Sequence, residues 1–286
     1  MKFGLRYCNT GPYIDAARAV ELVQAAEEAG FESAWTVQHT VIPENHASRY
    51  PYSPDGRLFG NVFDFPRPDP LIWIAYVAAR TSRIRFGTGV LILPQLSPVV
   101  TAKQVATLDF MSQGRVLLGI GVGWLREEFE AIGASFHDRA ARTDEYVAVM
   151  RSLWSEERPS FQGEFIQFDG AYCRPRPADG TVPIHVGGHS KSAARRAGRL
   201  GDGFFPARGR PEPLVHLARE TAEACGRDPS AIEVSLSCPR DLNEIKKIDA
   251  DRVLIPVDDR PDMAAPARTP EEVLAWRSRI EDFADA

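Results

Sequence analysis

Short apolar runs, each followed by a stretch with helical spacing, recur eight times along the chain, and no other feature narrows the choice of fold so far. The strand candidates are 3–7, 33–38, 84–92, 116–121, 182–187, 203–206, 232–237 and 252–257. Helical patterns occupy 15–29, 69–81, 97–114, 125–131, 140–155, 190–200, 213–225 and 270–283, with a thinner one at 240–248. Alternation of this kind builds a parallel sheet from βα units. Eight units in 286 residues suit a closed barrel, which usually needs about 250, better than an open sheet. The expected fold class is α/β, a (β/α)8 TIM barrel forming one domain over 1–286.

Local signals agree with that reading. Asp15 is placed to cap the first helix and Gly30 to stop it, with Ala16, Ala19, Val20, Val23 and Ala26 on one face. Ser97-Pro98 opens the third helix in the same way and Gly114 closes it. Two connections exceed simple loops. One is 40–68, rich in Pro, Tyr, Phe and Gly; the other is 156–181, where FQGEFIQFDGAY reads as a small hairpin. They are expected as insertions after strands 2 and 4, roofing a pocket at the carboxyl ends of the strands.

Two strands carry too many glycines. GTGVLILP has Gly87 and Gly89, and VLLGIGVG has Gly119, Gly121 and Gly123. Side chains alternate along a strand, so one face of each is bare and must meet another backbone or something flat. The spacing G-x-G-x-G followed by Trp124 is not the G-x-G-x-x-G of dinucleotide binding.

Residues 186–201, VGGHSKSAARRAGRLG, point to an anion. Gly187 and Gly188 end a strand, Ser190 can cap the next helix, and Lys191, Arg195, Arg196 and Arg199 add +4 with no acidic residue among them. A helix start of this kind attracts phosphate, although a solvated basic face is the plainer account. His189 joins by position alone. His39, at the carboxyl end of strand 2, sits where barrel enzymes place groups that move protons. His185, mid-strand, reads as core.

Lys and Arg total 34 against 39 Asp and Glu, a net charge of −5 that gives no support to nucleic-acid or membrane-surface binding. Cys8, Cys173, Cys225 and Cys238 are scattered, as free thiols in a reducing compartment would be. MKFGLRYCNTGP has no apolar run of signal length, so a cytoplasmic location is expected. No cluster has metal-ligand spacing, and no G-x-S-x-G elbow is present. A metal-dependent hydrolase has nothing to build on.

Two blocks, TSRIRFGTGVLILPQLSPVVTAKQVATLDFMSQGRVLLGIGVGWLREEFEAIG (81–133) and PIHVGGHSKSAARRAGRLGDGFFP (183–206), resemble the luciferase-like monooxygenase superfamily, and within it the bacterial coenzyme F420-dependent oxidoreductases. The likeness extends over roughly 1–206. It implies an eight-stranded barrel with a deazaflavin or flavin ring lying over the carboxyl ends of the strands. It also implies a cis Gly89–Val90 bond, next to Thr88, bulging against the back of that ring. Gly121, Val122, Gly123 and Trp124 match positions around the ribityl chain, and Gly187, Gly188, His189 and Ser190, with Lys191 beside them, match the phosphate site. His39 matches a histidine discussed as a proton donor, but Gln38 replaces the acid that precedes it in many relatives. Gln38 can still hydrogen-bond His39 without holding an imidazolium by charge. Tyr7, Cys8 and Phe65, with Trp124 and the 40–68 insertion, are expected to wall the substrate.

The function expected is F420-dependent hydride transfer to or from a small organic substrate. An FMNH2-dependent monooxygenase using O2 keeps the same fold, and a non-catalytic flavin- or F420-binding barrel is a third reading. A homodimer through the exposed faces of the helices after strands 2 and 3 is expected from the resemblance.

Overall fold

In chain order the elements are β1 (Lys2–Arg6), α1 (Ala16–Ala29), β2 (Ser33–Thr36), α2 (Pro70–Ala78), β3 (Arg85–Thr88), β4 (Leu91–Ile92), α3 (Pro98–Ser112) and β5 (Val116–Gly121). There follow α4 (Arg126–Ala131), α5 (Arg139–Ser155), β6 (Phe161–Gln162), β7 (Gln167–Phe168), β8 (Ile184–Gly187), α6 (Lys191–Leu200) and β9 (Gly203–Phe205). The remainder are α7 (Glu212–Ala224), β10 (Glu233–Ser237), β11 (Arg252–Pro256), α8 (Pro270–Leu274) and α9 (Arg277–Ala284). The computed structural model describes residues 1–58, 62–207, 211–258 and 266–284.

Eight strands close a ring. β1 lies between β2 and β11, the order continues β11-β10-β9-β8-β5, and β5 pairs with β3, which returns to β2. Every pairing in the ring is parallel. Caps and stripes place the helices outside it. Asp15 accepts from the Arg18 N–H, and Gly30 ends α1 at φ +91°, with Ala19, Val20, Leu22, Val23 and Ala26 buried. Among the described residues no helix is long and apolar enough to cross a membrane.

Two hydrophobic layers result. The larger lies between strands and helices; the smaller, Trp35, Leu117, Phe205 and Leu254, fills the lumen. Trp35 answers most of the glycine question. A Cβ at Gly87 would fall 2.3 Å from its ring, and one at Gly119 would fall 1.8 Å from the Thr88 carbonyl oxygen. At this depth the bared strand faces receive the protein's own indole and backbone, and at Gly87 and Gly119 they leave no room for a cofactor ring. Below Trp35, Arg252 is buried between Glu32 at 2.8 Å and Glu233 at 2.6 Å, sealing the amino end of the barrel. His185 lies edge-on to Trp35 at 5.7 Å. Burial, with help from Arg252 and Arg85, pushes its imidazole down to about 3, so it is a neutral core residue.

Four elements differ from the sequence reading. The 84–92 strand is not continuous: it breaks at Gly89–Val90, whose peptide bond is cis as the resemblance implied, and resumes as β4 against β5. The 240–248 pattern forms a 3-10 turn, Leu242–Lys247. The last helix divides where Trp276 turns inward, 6.1 Å from both Phe3 and Phe31. The β6–β7 hairpin follows α5 rather than β5, so it belongs to the helix-to-strand connection leading into β8, the neighbour of β5 in the ring. There it packs along α5, whose Glu145 accepts the N–H groups of Glu164, Phe165 and Ile166. It does not roof the mouth.

Candidate active site

The mouth is built around the interruption in the third strand. Gly89 N–H bonds the Thr36 carbonyl at 2.7 Å, and the Thr88 hydroxyl bonds the Gly119 carbonyl at 2.7 Å. On the far side, the Gln38 side-chain carbonyl accepts from the Ile92 N–H at 2.6 Å. The bulge is therefore fastened at both ends. Between them half-buried Val90 projects over Gly121 and Gly187, where a Cβ would lie 2.5 and 2.4 Å from its methyl groups. These two glycines are needed to seat Val90, and Val90 forms the floor of the mouth.

Gln38 is thus turned away from His39, contrary to the sequence reading. The partner of His39 is Glu128 of α4, a fully buried carboxylate whose Oε2 lies 3.0 Å from Nδ1. Its Oε1 accepts the N–H groups of Thr40 at 2.6 Å and Val41 at 3.3 Å. A carboxylate only accepts, so the imidazole proton sits on Nδ1 and Nε2 is left for chemistry.

Residues 46–50 of the long connection after β2 cover this side. Glu127, next to Glu128, accepts from the N–H groups of Ala47 at 2.7 Å and Ser48 at 3.1 Å. Burial pushes its carboxyl up, but bonds from the Ser48 hydroxyl and nearby N–H groups outweigh that and hold it near 2. Trp124 gathers the loop's rings around it, with His39 at 6.1 Å, His46 at 6.0 Å and Tyr50 at 5.2 Å. Half-buried Val122 precedes Gly123, which adopts φ +78° and packs on Ile92 and Phe129.

Across the mouth, β8 passes into α6 through Gly188 at φ +126°. Ser190 caps the helix by accepting from the Ala193 N–H at 3.1 Å. His189 presents a buried Nδ1 with no hydrogen-bond partner. The four basic residues do not act together. Arg196 and Arg199 both pair with Asp144 of α5, while no carboxylate faces Lys191 or Arg195 among the described residues. An orphaned imidazole nitrogen, a capped helix start and Lys191 fit an anionic group here. Val90, a half-buried apolar side chain at the strand ends, gives a flat group a surface to rest on.

A model of luciferase-like monooxygenases matches residues 4–240. The chain belongs to that family. This luciferase-like protein is 36% identical over 250 residues to the F420-dependent glucose-6-phosphate dehydrogenase of Kineococcus radiotolerans, covering 84% of this chain and 68% of that one. Among solved structures it resembles a monooxygenase from Streptomyces bottropensis at 30% identity and TM-score 0.65, covering 86% of this chain and 74% of that one. The F420-dependent tetrahydromethanopterin reductase of Methanopyrus kandleri superposes over 99% of both chains with TM-score 0.74, and at 17% identity that likeness is one of fold.

Half-buried Tyr7, just past the end of β1, adopts φ +69°, and in the 40–68 connection the half-buried Phe65 ring lies 4.9 Å under the Arg67 guanidinium. Cys8 and Thr88 are closed off instead. Cys8 is buried, which pushes its thiol up to about 12, and the Thr88 hydroxyl is spent on Gly119. Neither presents a surface to a ligand. Sequence reasoning missed Glu128, although a signal existed. It interrupts the apolar stripe Leu125, Phe129, Ile132, and a carboxylate on a buried face needs a partner.

Proposed function

We propose that this luciferase-like chain is an oxidoreductase that uses coenzyme F420 to move a hydride to or from a small organic substrate. The 36% identity to an F420-dependent dehydrogenase across most of the chain carries the choice of cofactor. Val90 and the Gly187–Lys191 turn would hold the cofactor, with Val90 under the ring and His189, Ser190 and Lys191 toward its phosphate. Bound F420 supplies hydride chemistry at its C5 carbon. The chain supplies the rest. His39 Nε2 accepts a proton from a substrate hydroxyl or, as imidazolium, returns one to a carbonyl oxygen. Glu128 keeps the ring in the tautomer that permits this, and the 40–68 connection with Trp124 keeps water out.

Titrating the protein with F420 and with FMN tests the reading. F420 is expected to bind with a Kd of about 1–100 µM, in the usual range for enzyme ligands. The 30% identity to a monooxygenase favours FMN as the second reading, and FMN binding without F420 binding would establish it. Cofactor bound without turnover of any acceptor would leave a non-catalytic barrel.

We also propose that the protein is a homodimer through α2 and α3. Ile72 is 73% exposed and Met111 76%, and Tyr76, Val100 and Phe110 are also more than half exposed, an apolar surface that a second copy would cover. Sedimentation should show a dimer that I72D/M111D converts to a folded monomer; a monomeric wild type would remove the idea.

A further inference from the structure

Arg6 ends β1 at the mouth and reaches across β11. Its Nη1 donates to the Ser237 hydroxyl at 2.7 Å, at the end of β10. Its guanidinium stacks on Phe205, 4.7 Å from the ring centroid, and on Tyr7 at 4.5 Å. Phe205 in turn comes within 3.2 Å of where a Gly89 Cβ would stand, so one ring separates Arg6 from the floor of the mouth. Nε is buried and has no hydrogen-bond partner.

Other arginines of the barrel are compensated. Arg252 lies between two glutamates, Arg85 meets Glu32, Arg151 meets Asp202 and Arg196 meets Asp144. Among the described residues no carboxylate pairs with Arg6. A half-buried guanidinium that lies over two rings, donates to one hydroxyl and meets no carboxylate among the described residues is arranged for an anion that arrives from outside.

We propose that Arg6 is a specificity-determining residue that binds the carboxylate of a small organic-acid substrate. With Nη1 occupied by Ser237 and Nε buried, Nη2 is the guanidinium nitrogen left to donate to a carboxylate oxygen. The apolar rings beside the guanidinium suit a carboxylate carried on carbon better than a free, strongly hydrated phosphate. Resting on the oxidoreductase reading, this places the acid group over Phe205 and the remainder of the substrate toward Val90 and His39.

Calorimetric titration of the F420-saturated protein with malonate, its neutral diamide malonamide, and inorganic phosphate decides the matter. Malonate should bind about tenfold or more tighter than malonamide or phosphate. R6M should weaken malonate by about 10- to 100-fold while F420 affinity changes by less than about twofold. R6K, which keeps the charge without the fork, and S237A, which releases Nη1, should each weaken malonate by several-fold, and they settle the question should R6M not fold. Equal binding of malonate and malonamide, preference for phosphate, or unchanged malonate affinity in the variants overturns the proposal. So does a parallel loss of F420 affinity, which would assign Arg6 to the cofactor. Should F420 not bind at all, the cofactor reading falls, and the same titration on the unloaded protein still decides for or against Arg6.

Discussion

Replacing His39 by glutamine should lower kcat by about 10²- to 10⁴-fold on the substrate that turns over, with F420 affinity nearly unchanged. Glutamine keeps a polar side chain at the mouth but cannot take or give a proton near neutral pH. The pairing with Glu128 supplies a second, sharper arm. E128Q preserves volume, and its carbonyl can still accept from Thr40 and Val41, so the fold survives. The introduced amide donates toward Nδ1, however, and forces the ring proton onto Nε2. The expected loss in kcat is about 10- to 100-fold, with an altered pH profile and a reversed tautomer in the ¹⁵N shifts of His39. E128A is less informative, because it strips the part-buried Thr40 and Val41 N–H groups of their acceptor, at about 1 kcal/mol apiece in stability. An unchanged kcat in H39Q would remove the proton-transfer role, and an unchanged tautomer in E128Q would remove Glu128 from it.

Gly119→Ala should be the most damaging single methyl in the protein. Its Cβ would stand 1.8 Å from the Thr88 carbonyl oxygen and 3.3 Å from the Trp35 ring. The obstacle is backbone in the neighbouring strand, so no rotamer change relieves it, and Thr88 is itself bonded to the Gly119 carbonyl. Overpacking of this kind costs about 3 kcal/mol or more, a fall in Tm of roughly 6–12 °C for a domain of this size. Gly180→Ala is the control. Nothing lies within 4 Å of the added methyl, and only φ +76° opposes it, so the cost should stay near 1–2 kcal/mol. Equal melting temperatures for the two variants would show that the lumen yields more than its packing implies.

These predictions rest on different kinds of legibility. The ring of eight strands, the capped helices and the glycine-rich βα turns were readable in advance because period, caps and turn residues act over a few positions. Interrupting the third strand at Gly89–Val90 was implied by likeness to relatives rather than by any local signal. The glycines at 87 and 119 announced a close approach without saying of what, and Trp35 became visible only when β2, β3 and β5 lay side by side. Arg196 and Arg199 read as anion-binding charge until α5 brought Asp144 to them.

The site divides along the same line. His39 was legible because its position at a strand's carboxyl end is a property of the chain's own alternation. Its partner was not, since Glu128 lies 89 residues away and meets it only when α4 folds over the end of β2. Sequence alone determined which side chains could donate, accept, cap or pack, because those capacities are intrinsic and local. Tertiary structure decided which of them were already spent on the protein and which, like Arg6 and His189, were left open, because a hydrogen bond or ion pair depends on a distance that only the closed barrel sets.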